Sequence, residues 1–155
     1  MDQPRRQPIR LDESTYHIDN LIFSVTIGTS PRSPIFHDRE WALECIEILK
    51  DLKRGRGNPV YAYCLMPDHV HLLLGTLSSS LLSNFVGRWK SLCYRARRAR
   101  GFPASFWQRS YFDRALREME DLRTTALYIV NNPVRKSLVD DFRKYPLCGS
   151  LEWEL

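Results

Sequence analysis

The chain has 155 residues, 43% hydrophobic and 12% aromatic, which fits one folded domain with a real core and excludes a chain disordered throughout. A net charge of +5 and a pI near 9.2 favour an anionic partner. No apolar run is long enough to span a membrane and the N-terminus lacks the apolar segment of a secretory signal, so the expectation is a cytoplasmic protein.

Residues 1–15 are polar and proline-containing and read as a flexible arm, with one domain over 16–155. Leu21–Ile27 is rich in β-formers, ends at Gly28 and reads as the first strand. After a loop with Pro31 and Pro34, Asp38 can cap a helix from Arg39 to about Lys53, with Trp41, Cys45, Ile48 and Leu52 on one stripe. Residues 55–59 make a turn. Val60–Leu65 is a second strand, Met66-Pro67-Asp68 a tight turn, and Val70–Leu74 a third strand closed by Gly75, so the two pair as a hairpin. Ser78, Ser79 and Ser80 precede a second helix reaching about Arg98, with Leu81, Phe85, Trp89, Leu92 and Cys93 as its apolar stripe. Residues 102–108 are read as a fourth strand or an extended segment. Glu118, Glu120 and Asp121 suit the positive end of a third helix, which runs to about Asn132 and stops at Pro133. The tail after Leu138 reads as irregular. This β-α-β-β-α-β order with a central hairpin is the ferredoxin-like pattern: an α+β antiparallel sheet with helices on one face, plus a C-terminal helix.

The segment Met66-Pro67-Asp68-His69-Val70-His71-Leu72 carries the most chemical information. Strand side chains alternate faces, so His69 and His71 share one, roughly 7 Å apart at Cβ. Two imidazoles at that spacing can hold a divalent metal, which polarises phosphate esters in many phosphoryl transfers. The plainer reading is two half-buried histidines hydrogen-bonded to carbonyls. Asp68 reads as a turn residue, and His17 and His37 as surface residues in loops. On the third helix Tyr128 and Asn132 are four apart and share a face. A tyrosine hydroxyl can act as a nucleophile toward phosphorus, and an amide oxygen can be a hard ligand for Mg²⁺ or Mn²⁺. The alternative is a core tyrosine and an asparagine ending a helix before proline.

Between Asn84 and Arg109 lie seven basic residues and no acidic one: Arg88, Lys90, Arg95, Arg97, Arg98, Arg100 and Arg109. Aromatic rings are interleaved, so phosphates can pair with the cations while bases stack on a ring such as Trp107. A solvated helix face would look the same, and Trp107 fits a core position equally well. Tyr111 reads as structural or DNA-contacting. Cys45, Cys64, Cys93 and Cys148 match no zinc or disulfide spacing.

Taken together, the strand Leu21–Ile27, the blocks 63–74, 106–113 and 120–122, and Tyr128-Ile129-Val130-Asn131-Asn132-Pro133-Val134-Arg135 resemble the single-tyrosine HUH transposases. The likeness spans about residues 20–148 and is strongest to the REP-associated tyrosine transposases. It implies that His69 and His71, completed by Asn132, bind a catalytic Mg²⁺ or Mn²⁺. It implies that Tyr128 attacks a phosphodiester of single-stranded DNA, leaving a 5′-phosphotyrosine and a free 3′-hydroxyl. The implied substrates are hairpin-forming palindromic repeats, the implied fold is ferredoxin-like, and a monomer is favoured over a dimer. Lys136-Ser137 departs from the small residue and glycine common there in the family. Two other readings compete: a domesticated DNA- or RNA-hairpin-binding protein without turnover, and a zinc hydrolase built on the two histidines, for which no third His, Cys or carboxylate stands at ligand spacing.

Overall fold

A computed structural model describes residues 21–117 and 120–155. The arm over 1–15, His17 and the side chains of Glu118, Glu120 and Asp121 lie outside the described residues. Five antiparallel strands form one sheet in the order β4-β1-β3-β2-β5: β1 Ile22–Gly28, β2 Val60–Met66, β3 His69–Gly75, β4 Phe112–Ala115 and β5 Cys148–Gly149. The helices are α1 Arg39–Arg56, α2 Leu82–Ala99, α3 Glu120–Val130 and a single turn, α4, Asn132–Arg135. The ferredoxin-like expectation holds, with a fifth strand added. Among the described residues no helix is long and apolar enough to cross a membrane.

The sheet separates two cores because each strand alternates. Phe23, Val25 and Ile27 of β1, Leu65 of β2 and Val70, Leu72 and Leu74 of β3 point to α1 and α2. Ile22, Cys64, Met66 and Leu73 point the other way, to Leu122, Ala126, Ile129 and Val130 of α3. His69 and His71 keep step with Leu73 and therefore lie on the α3 face. The helix pair is locked by two reciprocal bonds. The Trp41 indole donates to the Cys93 carbonyl at 3.2 Å, and the Trp89 indole to the Cys45 carbonyl at 3.0 Å. Asp38 caps α1 as expected, accepting from the Trp41 amide. The helix runs one turn past Lys53 and closes on Gly57 at φ 80°.

Three expectations are corrected. Of the two readings of residues 102–108 the strand fails: the fourth strand is Phe112–Ala115, and Trp107 makes an isolated bridge to Thr29. The aromatic run was needed for the helix-side core, where Phe106 and Trp107 pack against Phe36, Trp41 and Trp89. Pro133 does not end a helix. The third helix ends at Val130, and Pro133, which lacks the amide a helix start leaves unbonded, opens α4. The tail is ordered by pairing: β5 adds to the free edge of β2 and sets Cys148 beside Cys64.

The end of α4 explains the departure at Lys136-Ser137. Leu138 N–H donates to the Pro133 carbonyl at 2.8 Å and Ser137 N–H to the Val134 carbonyl at 2.9 Å, a six-to-one closure of the Schellman kind. Such a closure needs a left-handed residue, and Ser137 supplies it at φ 58°. Glycine takes that conformation without a Cβ clash. Ser137→Gly is therefore expected to raise unfolding stability by about 1 kcal/mol in urea titrations.

Candidate functional site

β3 presents His69 and His71 as a converging pair rather than two separate side chains. Their Nε2 atoms are 3.1 Å apart and the rings meet edge to face. Each far nitrogen is held. Asp68 Oδ1 lies 2.6 Å from His69 Nδ1, and Thr26 Oγ1 lies 3.1 Å from His71 Nδ1. The register explains both contacts: Thr26 is the β1 partner of His71, and Asp68 is the last turn residue before β3. The His69 hydrogen bond holds the Asp68 carboxyl below its usual range, with the His69 and Arg32 charges adding to it. An ionised carboxylate can only accept, so His69 carries its proton on Nδ1. When the ring is neutral, its Nε2 lone pair faces His71. Hydrogen-bonded carboxylate and hydroxyl partners of this kind orient imidazoles that bind metals.

Burial, reinforced by the positive charges of His69, Arg135 and Arg32, lowers His71 to about 4. The ring is neutral at physiological pH, as a metal ligand must be. Two oriented ring nitrogens on one face, with His71 neutral, fit a borderline or hard divalent cation. Among the described residues no group of three His, Cys, Asp or Glu side chains could hold a metal ion, so a further ligand would have to come from an amide, water or substrate.

Tyr128 and Asn132 occupy the end of α3 and the start of α4, on the histidine side of the sheet. They do not share one surface. Tyr128 is 63% exposed, whereas Asn132 is 8% exposed. The Asn132 amide is fixed at both ends. Its Nδ2 donates to the Ile129 carbonyl at 3.1 Å and its Oδ1 accepts from Arg135 Nη2 at 2.8 Å. The same guanidinium lies 3.6 Å from the centre of the Tyr128 ring. Beside His69 a cleft of about 370 Å³ opens between the loops carrying Arg32 and Pro34 on one side and Lys136 and Leu138 on the other.

The basic stretch lies elsewhere. α2 packs on the opposite face of the sheet from the histidines. Arg88, Arg95, Arg98 and Arg109 are exposed there. Lys90 donates to the Gln108 carbonyl at 2.9 Å, and burial lowers its pKa. Arg97 lies over the rings of Trp41, Phe102 and Phe106, and Arg100 pairs with Glu44. Trp107 donates from its indole to the Lys90 carbonyl at 2.9 Å and packs between Phe36, Trp89 and Phe106. Sequence reasoning missed Thr26, Arg32 and Arg135. Thr26 gives no local signal, since only strand register brings it to His71. Arg135 is seven residues beyond Tyr128, two helical turns on, a spacing that was available to be read.

A family model described as "Transposase IS200 like" matches residues 17–132. The chain is similar to the REP-associated tyrosine transposase of Escherichia coli strain K12, 26% identical over 95 residues, covering 61% of this chain and 56% of that protein. A Haemophilus influenzae protein provisionally given the same name is 26% identical over 96 residues, covering 55% of this chain and 54% of that protein. The chain thus spans about half the length of the curated relatives it matches. Among solved structures, that of a REP-associated tyrosine transposase bound to a REP hairpin superposes with a TM-score of 0.67 at 22% identity, covering 96% of this chain and 82% of that one.

The lowered His71 sets a pH dependence for the metal-free protein. Its folded pKa of about 4 lies below the unfolded value of 6.5, so the unfolded chain binds the extra proton first as pH falls. This contribution to stability is complete above pH 6.5, erodes as pH drops and is lost below about 4. In EDTA, ¹³C or ¹⁵N NMR titration should show His71 protonating near pH 4, and His71→Phe should remove this part of the acid sensitivity.

Proposed function

The chain belongs to the IS200-like transposase family, and we propose that it cuts and rejoins single-stranded DNA at hairpin-forming palindromic repeats through a tyrosine-linked intermediate. The observation that carries this reading is the histidine pair. The two Nε2 atoms converge, each ring is oriented from behind by Asp68 or Thr26, and His71 is neutral. The hairpin substrate is supported by the structural relative bound to a REP hairpin.

His69, His71 and the Asn132 oxygen would hold Mg²⁺ or Mn²⁺. Bound there, the cation supplies Lewis acidity to the scissile phosphate. The remaining work falls to the chain. The exposed Tyr128 hydroxyl attacks phosphorus; its oxygen–phosphorus bond forms as the bond from phosphorus to the 3′-oxygen breaks. The phenolic proton is lost and the departing oxygen gains one from solvent, leaving a 5′-phosphotyrosine and a 3′-hydroxyl. Attack by a 3′-hydroxyl on that link reverses the step and rejoins strands. Asp68 and Thr26 keep the ring nitrogens aimed, and Arg32 and Lys136 flank the cleft in which a neighbouring phosphate would be neutralised. The exposed cations Arg88, Arg95 and Arg98 of α2, with Arg109 beyond it, would add non-specific affinity and a steeper salt dependence.

The test is cleavage of labelled single-stranded hairpin DNA drawn from repeats of the host genome, with Mn²⁺ or EDTA. Wild type should give metal-dependent cutting and a covalent protein–DNA band, and Tyr128→Phe should lose both while still binding the hairpin. Hairpin binding without any cutting by wild type would instead favour the binding-only protein. Calorimetric titration with Mn²⁺ gives a second check. Asp68→Asn, which cannot hold the His69 ring in the same way, should weaken Mn²⁺ binding by about 10–100-fold.

A further inference from the structure

We infer that Arg135 is the positioning residue for both Tyr128 and Asn132, a planar fork that holds the nucleophile and the third ligand in one geometry. The inference rests on the proposed function for what Tyr128 and Asn132 do, and on three contacts in the structure for what Arg135 does to them. Arg135 makes three contacts with these two residues. Nη1 donates to the Tyr128 carbonyl at 2.7 Å. Nη2 donates to Asn132 Oδ1 at 2.8 Å. The guanidinium carbon lies 3.6 Å from the centroid of the Tyr128 ring.

Each contact meets a local physical need. Tyr128 is 63% exposed, and a phenol so exposed has no hydrophobic wall to fix its rotamer. A stacked guanidinium supplies that wall at the ring face. The Tyr128 carbonyl belongs to the last turn of α3, where carbonyls lack helical partners and a cation is favoured. Asn132 is buried, so the direction of its amide is set by partners rather than by solvent. With Nδ2 on the Ile129 carbonyl and Oδ1 on Arg135, only one of its two amide orientations is satisfied. The break between α3 and α4 falls between Tyr128 and Asn132, so helix geometry alone does not fix their relative position. Arg135 spans that break. Lysine could keep the charge but could not make two divergent hydrogen bonds while lying flat on the ring. Small misplacements of a nucleophile cost large factors in rate.

The test has one readout independent of catalysis. Protein labelled with 3-fluorotyrosine contains seven reporter rings, and Tyr128→Phe identifies the resonance of Tyr128. In Arg135→Ala and Arg135→Lys that resonance should move toward the free-amino-acid position while the other tyrosine signals stay, which also shows that the fold is kept. Under single-turnover conditions both variants should form the covalent adduct at least ten-fold more slowly, with hairpin affinity within two-fold of wild type. If Arg135→Ala does not fold, Arg135→Lys carries the same comparison. An unmoved Tyr128 resonance, or wild-type adduct formation by Arg135→Lys, overturns the inference. A moved resonance in a protein whose wild type cuts nothing upholds the positioning and overturns the proposed strand transfer instead.

Discussion

The site depends on the turn at Pro67 and Asp68. It joins β2 to β3 with two residues and pairs Met66 with His69. A slip of one residue would send both histidines into the helix-side core and Val70 and Leu72 out of it. Two-residue hairpins usually rely on residues with positive φ, yet among the described residues the only non-glycine with positive φ is Ser137. The turn is held from outside instead. Its two carbonyls accept from Phe36 and Thr29, residues of the chain that leaves β1. Asp68 then uses its side chain on His69 and Arg32. One short segment thus sets strand register, histidine face and imidazole orientation.

The sheet divides labour between its faces. The helix-side core is large and aromatic, cross-locked by the two tryptophan indoles, and it absorbs Trp107, Lys90 and Arg97 into its rim. The α3 face carries a smaller core and leaves its far end for polar groups. There β1, β3, α3 and α4 contribute Thr26, the histidines, Tyr128 and Asn132. A rigid sheet is well suited to hold two imidazoles, and a short broken helix is less so. The cation-mediated clamp adds a side-chain tie across the α3–α4 break to the backbone bonds that Asn131 makes with Leu127 and Arg135.

Much of this was legible in the chain. Alternation in Val70, Leu72 and Leu74 against His69 and His71 placed both histidines on one face, because a hairpin with a buried side admits one register. The first three strands and two long helices announced themselves by period, and Asp38 marked the start of α1. The fourth strand did not. Phe112–Ala115 is short and mixed and lies at the end of the strand order, while the richer aromatic run at 102–108 was claimed by tertiary packing. β5 is two residues long and exists only because β2 offers an edge. Thr26 and Arg135 escaped for different reasons. The first is defined by a cross-sheet register; the second stands two helical turns beyond Tyr128, but the expected stop at Pro133 placed it outside the helix.

The electrostatics of the site favour an anion together with any cation it takes. His71 is neutral, the Asp68 carboxyl is held below its usual range beside His69, and Arg32 and Arg135 both lower His71. A lone dication entering such a site gains two ring nitrogens but meets two guanidinium groups. A phosphodiester changes the sum, since its negative charge faces the arginines and its oxygens can share the cation. On the proposed reading, DNA and metal bind cooperatively, because each supplies charge that the other lacks.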